Sequence, residues 1–593
     1  MKNINKLILL GAIVFATISC EDRLEQVNPN EVTVDSYYTN LSETEAGVTA
    51  IYSTLLNHFV LNIESETERA DMGYPGWGRN TPSNASQSIW YFHTYSNTQT
   101  EVTKKWEACY QGIWRANQVI EGLQKLEAEI VAGGSEALLE VWTRQMAEAR
   151  FFRGWFHYNL HLSFNNGEII IRDAVPQSDD DFNKDISSSQ EVIDFFRKDL
   201  VYAYENLPAR HDESINSNVG RVTAGTAATI LGNSHLFQEE YSEAIPYYED
   251  VMTNPEYGYE LVKDMGLMFT NSGELNDESI FEVLYNETQR TELNQWDELS
   301  QSNRLGRSGN GGQWYPSLWI IWAYKNEVMD TKDPRNYYTR PSDDKDTIRV
   351  VPLRCSAMIA VTEDEHSIYY IDGYTGENMN FNVNGGQIAF YKKYGNHELY
   401  VDEGATPLGT GWKSGKNVIV NRLAEVYLNY AEAMMMTGDI QAALDAMNAI
   451  RARWGLRRLG VDDGSGPDFD GVNYTAETLM EKLMYVDKPL ELSSEGMSIR
   501  WIDMRRWGIT KSRFESLATE NYHMVDYTLN TLEGGTFFNG RSSLQLGEDP
   551  GTNLTFKDYE VAAQNYIPNQ HDYYPIPLSE ILTNSSLSSL SNN

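Results

Sequence analysis

The spacing of apolar side chains predicts several long helices in the first part of the chain. Residues 106–126 repeat apolar residues three or four positions apart, which places them on one face of a helix. Residues 145–162 carry a broader apolar face, as expected for a helix packed deeply in a core. A shorter helix is predicted near residues 45–60. These segments indicate a mainly α-helical protein.

Two further pairs of helices are predicted to form hairpins. One comprises residues 223–237 and 241–252, and the other comprises residues 422–436 and 440–450, with Gly438 in a turn where glycine suits a helix end. In both hairpins a small residue stands twelve positions before an alanine on the second helix. These residue pairs are Gly232 with Ala244 and Ala431 with Ala443. The spacing approximates the tetratricopeptide pattern, so we expect a scaffold of about four such helix pairs.

The middle of the chain has a different composition. Residues 265–415 are rich in Gly, Asn, Asp, Trp and Tyr, with short strand-like runs at 279–285 and 349–353, and residues 71–97 have the same character. Loops of this length inside a compact domain usually carry function. We therefore predict one domain in which a loop-rich lobe is mounted on the helical scaffold. Its predicted bounds are 35–593 for the domain, about 35–265 and 416–510 for the scaffold, and about 265–415 for the ligand lobe.

Composition narrows the kinds of ligand. The formal net charge is −38, which repels phosphates, and no basic run offsets it, so a nucleic-acid partner is excluded. The same charge favours a neutral ligand over a polyanion. Aromatic residues reach 12 %, including 36 Tyr and 14 Trp, and such numbers indicate a surface that uses flat ring faces for recognition.

The first residues have the form of an export signal. Lys2 and Lys6 precede an apolar run at residues 7–18, which is too short to span a bilayer and is followed closely by Cys20. A signal that ends at a lone cysteine resembles a bacterial lipoprotein signal, although Thr17 replaces the usual leucine. We expect a signal peptide at 1–19, lipidation of Cys20 and a lipid-anchored polar tether over 20–34.

The other cysteines and the acidic clusters do not indicate a metal or cofactor. Cys109 and Cys355 are too few for a disulfide framework, and no CxxC pair exists, so two buried free thiols are predicted. Residues 462–471 (DDGSGPDFDG) alternate Asp and Gly in a way that suits a calcium loop, but their spacing does not satisfy an EF-hand. A solvated turn is therefore favoured over structural calcium, and no cofactor is expected.

Common catalytic motifs are absent from the sequence. His397-Glu398 lacks the second histidine of a zinc-hydrolase motif, and no GxSxG elbow exists. Before Gly415-Lys416, Thr410 stands where a phosphate loop has its first glycine. The carboxylate pair of a glycosidase cannot be identified among 85 acidic residues. We therefore predict a protein that is not an enzyme.

Two aromatic, glycine-rich loops have the composition of a glycan site. Sugars present apolar C–H faces rimmed by hydroxyls, so recognition combines exposed aromatic planes with hydrogen-bonding side chains. Residues 74–84 place a tryptophan between two glycines and beside an arginine and an asparagine, and residues 294–315 carry a similar set. The ligand-binding residues predicted on these loops are Trp77, Arg79, Asn80, Trp296, Arg307, Trp314 and Tyr315.

Several segments, in order along the chain, together resemble the SusD/RagB family of Bacteroidetes outer-membrane lipoproteins. They are residues 147–162 (AEARFFRGWFHYNLHL), 221–248, Asp333-Pro334-Arg335, 422–433 (RLAEVYLNYAEA), 500–508 (RWIDMRRWG) and 574–581 (YPIPLSEI). Residues 488–496 (KPLELSSEG) depart from the family's ERxxELAFEG and are assigned to the scaffold. The resemblance covers nearly the whole chain.

The resemblance implies four tetratricopeptide-like helix pairs that support a loop-rich lobe. It also implies a lipid-anchored protein on the outer face of the outer membrane, where Glu21 and Asp22 resemble an acidic export tag. Its implied role is to capture a polysaccharide or oligosaccharide and deliver it to a SusC-like TonB-dependent transporter. In relatives the ligand platform comes from variable loops.

Three other functions are compatible with parts of this pattern. A peptide binder of the same architecture would rely more on hydrogen bonds and less on stacking rings. A glycan-cleaving enzyme would release reducing ends, and a pure protein-interaction scaffold is suggested by the helix pairs alone. The aromatic loops and the lipoprotein signal favour glycan capture over the last of these.

Overall fold

The structure is a computed structural model of the full chain. It describes residues 37–75, 89–212, 214–264, 266–286, 305, 314–340, 344–364, 388–400, 414–526, 529–530, 536–537, 542–551 and 554–592. The predicted signal peptide and tether, including Cys20, lie outside these ranges. Within the described ranges, no helix combines the length and apolar content needed to cross a membrane.

Helices dominate the architecture, as predicted. In chain order they are α1 (Leu41–Thr54), α2 (Ile63–Arg69), α3 (Thr100–Gly133), α4 (Glu136–Ser163), α5 (Ser189–Asn206), α6 (Ala224–Leu236), α7 (Tyr241–Thr253), α8 (Leu318–Lys325), α9 (Leu353–Met358), α10 (Leu423–Thr437), α11 (Ile440–Arg453), α12 (Ala476–Lys482), α13 (Lys488–Glu491), α14 (Ile499–Arg506), α15 (Thr510–Leu517), α16 (Glu560–Asn565) and α17 (Leu578–Thr583). Short 3-10 turns include Asp179–Phe182 and Pro334–Asn336. A π-helical turn, Leu483–Asp487, joins α12 to α13.

Local sequence explains where several helices begin and end. Asn40 accepts hydrogen bonds from two backbone N–H groups at the start of α1, and Ser188 forms a capping box with Glu191 at the start of α5. Gly438 ends α10 with φ of 97°, a left-handed conformation that costs glycine little. The predicted glycine turn is thereby confirmed.

Both predicted hairpins are present. The helices α6 and α7 form the first and α10 and α11 the second, and α7 also packs on α10. Gly232 permits the close approach in the first hairpin, since a Cβ there would lie 2.7 Å from the Tyr248 ring. In the second hairpin Ala431 and Ala443 are both fully buried. The small residues thus act at the helix–helix contacts, as their spacing predicted.

The helix bounds differ from the predicted ones. The helices α3 and α4 extend well beyond residues 106–126 and 145–162, because exposed and half-buried turns, which include apolar residues, continue each helix past its buried stripe. The first helix ends at Thr54, before the predicted limit near residue 60.

The strands are short and form small antiparallel sheets. They are β1 (Gly73–Pro75), β2 (Ser279–Val283), β3 (Trp314–Pro316), β4 (Tyr337–Arg340), β5 (Lys345–Ile348), β6 (Ile359–Val361), β7 (Ala389–Tyr391), β8 (Val418–Arg422), β9 (Tyr522–Asp526), β10 (Leu529–Asn530), β11 (Thr536–Phe537), β12 (Ser542–Leu546) and β13 (Thr555–Phe556). The pairs are β1–β3, β2–β8, β4–β5, β6–β7 and β10–β11, and β9 lies between β12 and β13. The strand β2 confirms most of the run predicted at 279–285.

The strand predicted at residues 349–353 is wrong. The strand β5 ends at Ile348, and α9 begins at Leu353, directly after Pro352. Proline cannot donate a ladder hydrogen bond, and its fixed φ, here −60°, is compatible with entry into a helix. Val351 and Pro352 of this run are buried without joining a sheet, whereas Val350 is exposed.

One continuous hydrophobic core includes side chains from both the scaffold and the lobe. Among its fully buried members are Trp155, Trp314, Trp454 and Trp501. A second, smaller cluster lies between α6, α7 and α10.

Candidate functional site

The strand pair β1–β3 joins the two loops that the sequence singles out. Tyr74 lies opposite Tyr315, and Pro75 lies opposite Trp314. Residues 76–88 follow β1 directly, and residues 306–313 precede β3 directly. In an antiparallel pair, residues opposite each other have Cα atoms about 4.5–5.5 Å apart. The last residue of β1 and the first residue of β3, which are far apart in sequence, therefore lie at the same end of one strand pair.

Five of the seven predicted ligand-binding residues lie outside the described part of the chain. They are Trp77, Arg79, Asn80, Trp296 and Arg307. Their role in binding stays a prediction. The structure shows the position of β1, which precedes residues 76–88, and of β3, which follows residues 306–313.

Trp314 and Tyr315 do not have the exposed ring faces that the sequence predicts. Each is 1 % exposed. The ring centroid of Trp314 lies 5.3 Å from that of Tyr391, and the centroid of Tyr315 lies 5.6 Å from that of Phe390. Both rings are covered because the β6–β7 hairpin packs on β3. Their direct contact with a ligand stays untested, whereas their packing in the core at the base of the loops is clear.

The sequence contains a signal for this burial. Trp314 and Tyr315 stand next to the apolar residues of α8, in the run WYPSLWII that follows a glycine-rich turn. A short, nearly continuous apolar run next to a turn is typical of a fully buried strand.

Hydrogen bonds hold the base of the strand pair. The Ser317 hydroxyl donates to the Asp71 carbonyl at 2.8 Å, and its N–H donates to the Met72 carbonyl at 3.1 Å. The Tyr391 hydroxyl also donates to the Met72 carbonyl, at 2.9 Å. The residues immediately before β1 are thus tied to the residue after β3 and to the β6–β7 hairpin.

The carboxylate of Asp71 fixes the same place to the scaffold. It accepts hydrogen bonds from Arg500 at 2.8 and 2.7 Å and from Arg513 at 2.9 Å, and it is fully buried. Burial alone would raise the pKa of Asp71, but the two guanidinium groups hold it below its ordinary value. The segment RWIDMRRWG therefore has a structural role beneath the loops.

A buried ionic network connects the lobe with the scaffold. Arg422 pairs with Glu278 at 2.7 Å, Glu491 at 2.8 Å and Glu495 at 2.6 Å. Arg354 of the lobe reaches Glu491 at 3.2 Å. Further pairs in the network are Arg453 with Glu278 and Glu491, Arg354 with Glu327, and Lys393 with Glu495. Glu491 and Glu495 belong to KPLELSSEG, so the segment that departs from the family pattern contributes two buried carboxylates to this network.

A pair of carboxyl groups with raised pKa values lies close to this network. Asn417 donates to both, from its N–H to Glu274 at 2.8 Å and from its side-chain amide to Glu282 at 2.9 Å. Burial, opposed by the Asn417 hydrogen bond, raises the pKa of Glu274 to about 7, and burial also raises that of Glu282. The cavity that they line has a volume of only about 20 Å³, enough for a water molecule but not for a sugar ring. This pair therefore lacks the room that a glycosidase requires.

The structure describes the two cysteines after the predicted tether and the acidic turn at residues 462–471. Cys109 and Cys355 are buried and free, which confirms their prediction, and burial raises the pKa of Cys109 to about 12. In the turn at residues 462–471, Asp462 and Asp463 accept hydrogen bonds from backbone N–H groups two residues ahead. Among the residues that the structure describes, no group of three or more His, Cys, Asp or Glu side chains is arranged to hold a metal ion.

An aromatic groove on the scaffold is not predicted by the sequence analysis. It lies between α3 and residues 170–182 and has a volume of about 490 Å³. Trp114, on α3, lines it and is 47 % exposed. Helical spacing in the sequence could indicate that Trp114 is exposed, because this residue stands beside the apolar stripe of α3 and not within it.

Two models of known families match this chain. The model described as the SusD family matches residues 277–593, which is more than half of the chain. A second model, described as starch-binding associating with outer membrane, matches residues 31–231. The chain therefore belongs to the SusD family.

Individual relatives agree with this assignment. SusD-like protein P25 of Formosa agariphila is 20 % identical over 531 residues, covering 85 % of this chain and 90 % of the relative. A SusD-like protein of Bacteroides ovatus is 24 % identical over 445 residues, covering 73 % of this chain and 72 % of the relative. Both similarities extend over most of each protein.

Solved structures share the fold. A SusD superfamily protein from Bacteroides vulgatus superposes with a TM-score of 0.65 at 20 % identity, covering 92 % of this chain and 98 % of the other. A laminarin-binding SusD-like protein gives a TM-score of 0.58 at 20 % identity, with the same coverage. The mainly α-helical, SusD-like fold expected from the sequence is thus confirmed.

Proposed function

We propose that the protein captures a polysaccharide or oligosaccharide at the cell surface without cleaving it, and delivers it to a SusC-like TonB-dependent transporter. The observation that supports the proposal is the β1–β3 pairing in a SusD-family chain. It sets residues 74–75, which begin one aromatic, glycine-rich sequence, beside residues 314–315, which end the other. The predicted residues Trp77, Arg79 and Asn80 stand in the first of these sequences, and Arg307 stands in the second.

Ring stacking and hydrogen bonding together suit a sugar. Tryptophan faces cover the apolar C–H surface of a pyranose, and arginine and asparagine donate to its hydroxyls. The net charge of −38 favours a neutral glycan. The similarity to a laminarin-binding structure, and to the starch-binding family description, supports a neutral glucan as the first ligand class to test.

The absence of cleavage is supported by the surroundings of the carboxyl groups with a pKa near 7. Glu274 lines a cavity of about 20 Å³. Glu425, whose pKa burial raises to about 7, lies in the scaffold and accepts hydrogen bonds from Asn233 and Asn421. Neither offers the pair of carboxyl groups flanking a sugar that glycoside hydrolysis requires.

A glycan array tests the binding proposal directly. The full chain carrying Cys20→Ser is applied to neutral and anionic polysaccharides, and reducing-end release is measured on every hit. We expect binding to one neutral class without new reducing ends, weakened about tenfold by Trp77→Ala, as for a lost ring contact. Leu138→Ala, at an exposed position on α4, is the matched control and should bind normally.

Each other outcome has a defined meaning. Release of reducing ends contradicts the non-catalytic role. Failure on all glycans, together with binding to a peptide library, replaces glycan capture by peptide capture in the same architecture.

The anchor and the partner are tested separately. We expect the mature protein, extracted in detergent, to carry an acylated Cys20 by intact-mass measurement, and to become soluble as Cys20→Ser. Affinity purification from outer membranes should co-purify a TonB-dependent transporter. A soluble wild-type protein contradicts the anchor, and purification without a transporter contradicts the delivery step.

A further inference from the structure

The aromatic groove on the scaffold has walls of two kinds. One wall is α3, which contributes Trp106, Tyr110 and Trp114, and the other is the segment at residues 170–182, which ends at Phe182. Trp114 is 47 % exposed and Phe182 is 56 % exposed. A volume of about 490 Å³ falls within the range of small-ligand sites, about 300–1,000 Å³.

Hydrogen bonds hold the two walls in a defined arrangement. The Asn117 amide donates to the Arg172 carbonyl at 2.9 Å, and the Tyr110 hydroxyl donates to the Ile170 carbonyl at 2.7 Å. The Arg172 guanidinium donates to the Asp181 carbonyl at 2.8 Å and to the Phe182 carbonyl at 2.6 Å. Because the backbone that carries Phe182 is fixed in this way, its ring is presented without a large ordering cost on binding.

The charges around the groove favour a neutral ligand. Of the described residues that line it, Arg172 is the one cation, and its terminal nitrogens already donate to carbonyl groups. Glu107 and Glu580 also line the groove, and Glu580 accepts a hydrogen bond from the Trp106 indole at 3.3 Å. The two carboxylates repel an anion, and Arg172 already donates its hydrogen bonds within the protein. Glu107 and the exposed Gln111 can form hydrogen bonds with the hydroxyl groups of a ligand.

We propose that this groove is a second carbohydrate-binding subsite, in which Trp114 and Phe182 stack on the apolar faces of a neutral oligosaccharide. The inference rests on the proposed glycan-binding function. The residues that line the groove come from the scaffold, and none comes from the lobe at residues 265–415. A long polysaccharide that binds both the groove and the proposed site on the lobe gains affinity, because binding at one site raises its effective concentration at the other. A short oligosaccharide cannot reach both sites and does not gain this affinity.

Fluorine NMR can observe each site separately. The full chain with Cys20→Ser is labelled with 5-fluorotryptophan, and the resonances of positions 114 and 77 are assigned with Trp114→Phe and Trp77→Phe. The probes are laminarihexaose, maltohexaose, xylohexaose and mannohexaose. We expect one of them to shift the Trp114 resonance, and to do so equally in the Trp77→Ala variant.

Affinity for the parent polysaccharide provides an independent measurement. Trp114→Ala and Phe182→Ala should each weaken it about three- to tenfold, as expected when one stacking contact is lost. Both side chains are exposed, so neither substitution removes core packing. Leu138→Ala, exposed but outside the groove, should leave the affinity unchanged.

The outcomes separate this inference from the proposed function. If the Trp77 resonance responds and the Trp114 resonance does not, the groove is not a sugar subsite and glycan capture by the lobe stands. If neither responds and the glycan array is silent, both proposals fail. If sedimentation velocity shows a dimer that Trp114→Ala dissociates, the groove is an interface between copies and the subsite is overturned.

Discussion

At the residue scale, single buried charges decide how firmly the β1–β3 strand pair is held to the scaffold. Asp71 precedes β1 by only two residues and binds Arg500 and Arg513, which come from α14 and α15. Without the carboxylate, two guanidinium groups would remain in the core without their partner. The free-energy cost of such a loss is larger than the net worth of the pair itself.

We therefore expect Asp71→Asn to lower the free energy of unfolding by about 3–5 kcal/mol in urea titrations. Asp212→Asn, at an exposed turn where the carboxylate accepts hydrogen bonds from Ser214, is the control and should leave the midpoint unchanged. Since the pKa of Asp71 is depressed below 3.8, its stabilisation is present above that pH and is lost as the pH falls through the folded-state value. A loss below about 1 kcal/mol would show that the arginines find other partners.

Glu274 predicts the opposite pH dependence. Its pKa is raised from 4.5 to about 7, so the folded state binds more protons than the unfolded state between these values. Stability from this group therefore falls as the pH rises from 4.5 to 7. Glu274→Gln should remove this loss, so that by pH 7 its free energy of unfolding exceeds that of the wild type by about 1–2 kcal/mol. This estimate allows for solvent screening of a half-buried group.

Urea titrations at several pH values measure this difference. Glu260→Gln, at a side chain 65 % exposed, is the matched control and should follow the wild-type curve. Parallel curves for Glu274→Gln and wild type would mean that Glu274 titrates equally in both states.

At the element scale, the helix hairpins depend on small residues at their contacts. Gly232 lies against Tyr248, where an added Cβ would approach the ring to 2.7 Å. Gly133, at the end of α3, has no heavy atom within 4 Å of the same position. Substituting each of the two glycines therefore separates the effect of helix–helix packing from the effect of helix propensity.

Gly232→Val is expected to lower the free energy of unfolding by about 1–3 kcal/mol, because the core must shift to admit the side chain. Gly133→Val should change it by less than about 0.5 kcal/mol. Thermal or urea unfolding of both variants measures the effect. Equal changes in the two would show that helix propensity, and not the α6–α7 contact, is decisive.

Helix positions were predictable at this scale, and strand positions were less so. The stripes of α3, α4 and both hairpins are local and repeat with the helical period, so they can be read from neighbouring residues. The run at residues 349–353 is too short for its period to distinguish a strand from a buried helix start. The glycine-rich residues before Trp314 predict an exposed loop, whereas the apolar residues of α8 after it are typical of a buried run.

At the scale of the whole molecule, two kinds of electrostatic interaction act together. The net charge is −38, and the mutual repulsion of so many like charges disfavours the compact state. The network around Arg422 and Glu491 is buried and joins the lobe to the scaffold. Dissolved salt screens exposed charges strongly and buried pairs much less.

We therefore expect the thermal unfolding midpoint at pH 7 to rise by a few degrees between 10 and 300 mM NaCl, as measured by calorimetry or intrinsic fluorescence. Near the isoelectric point, about 4.6, the repulsion disappears and so should the dependence on salt. A midpoint that falls with added salt at pH 7 would instead mean that exposed ion pairs stabilise the protein more than the net charge destabilises it.

By itself the sequence determined the helical class, the two hairpins, the buried thiols and the resemblance to a family to which the chain proves to belong. These features depend on local periodicity, on composition and on motifs that stand in a fixed order. Only the tertiary structure decided that β1 pairs with β3, that Trp314 is covered by the β6–β7 hairpin, and that Trp114 faces a groove. The physical reason is that periodicity specifies which face of a segment is apolar, whereas the segment that covers this face is chosen by packing among residues distant in the chain.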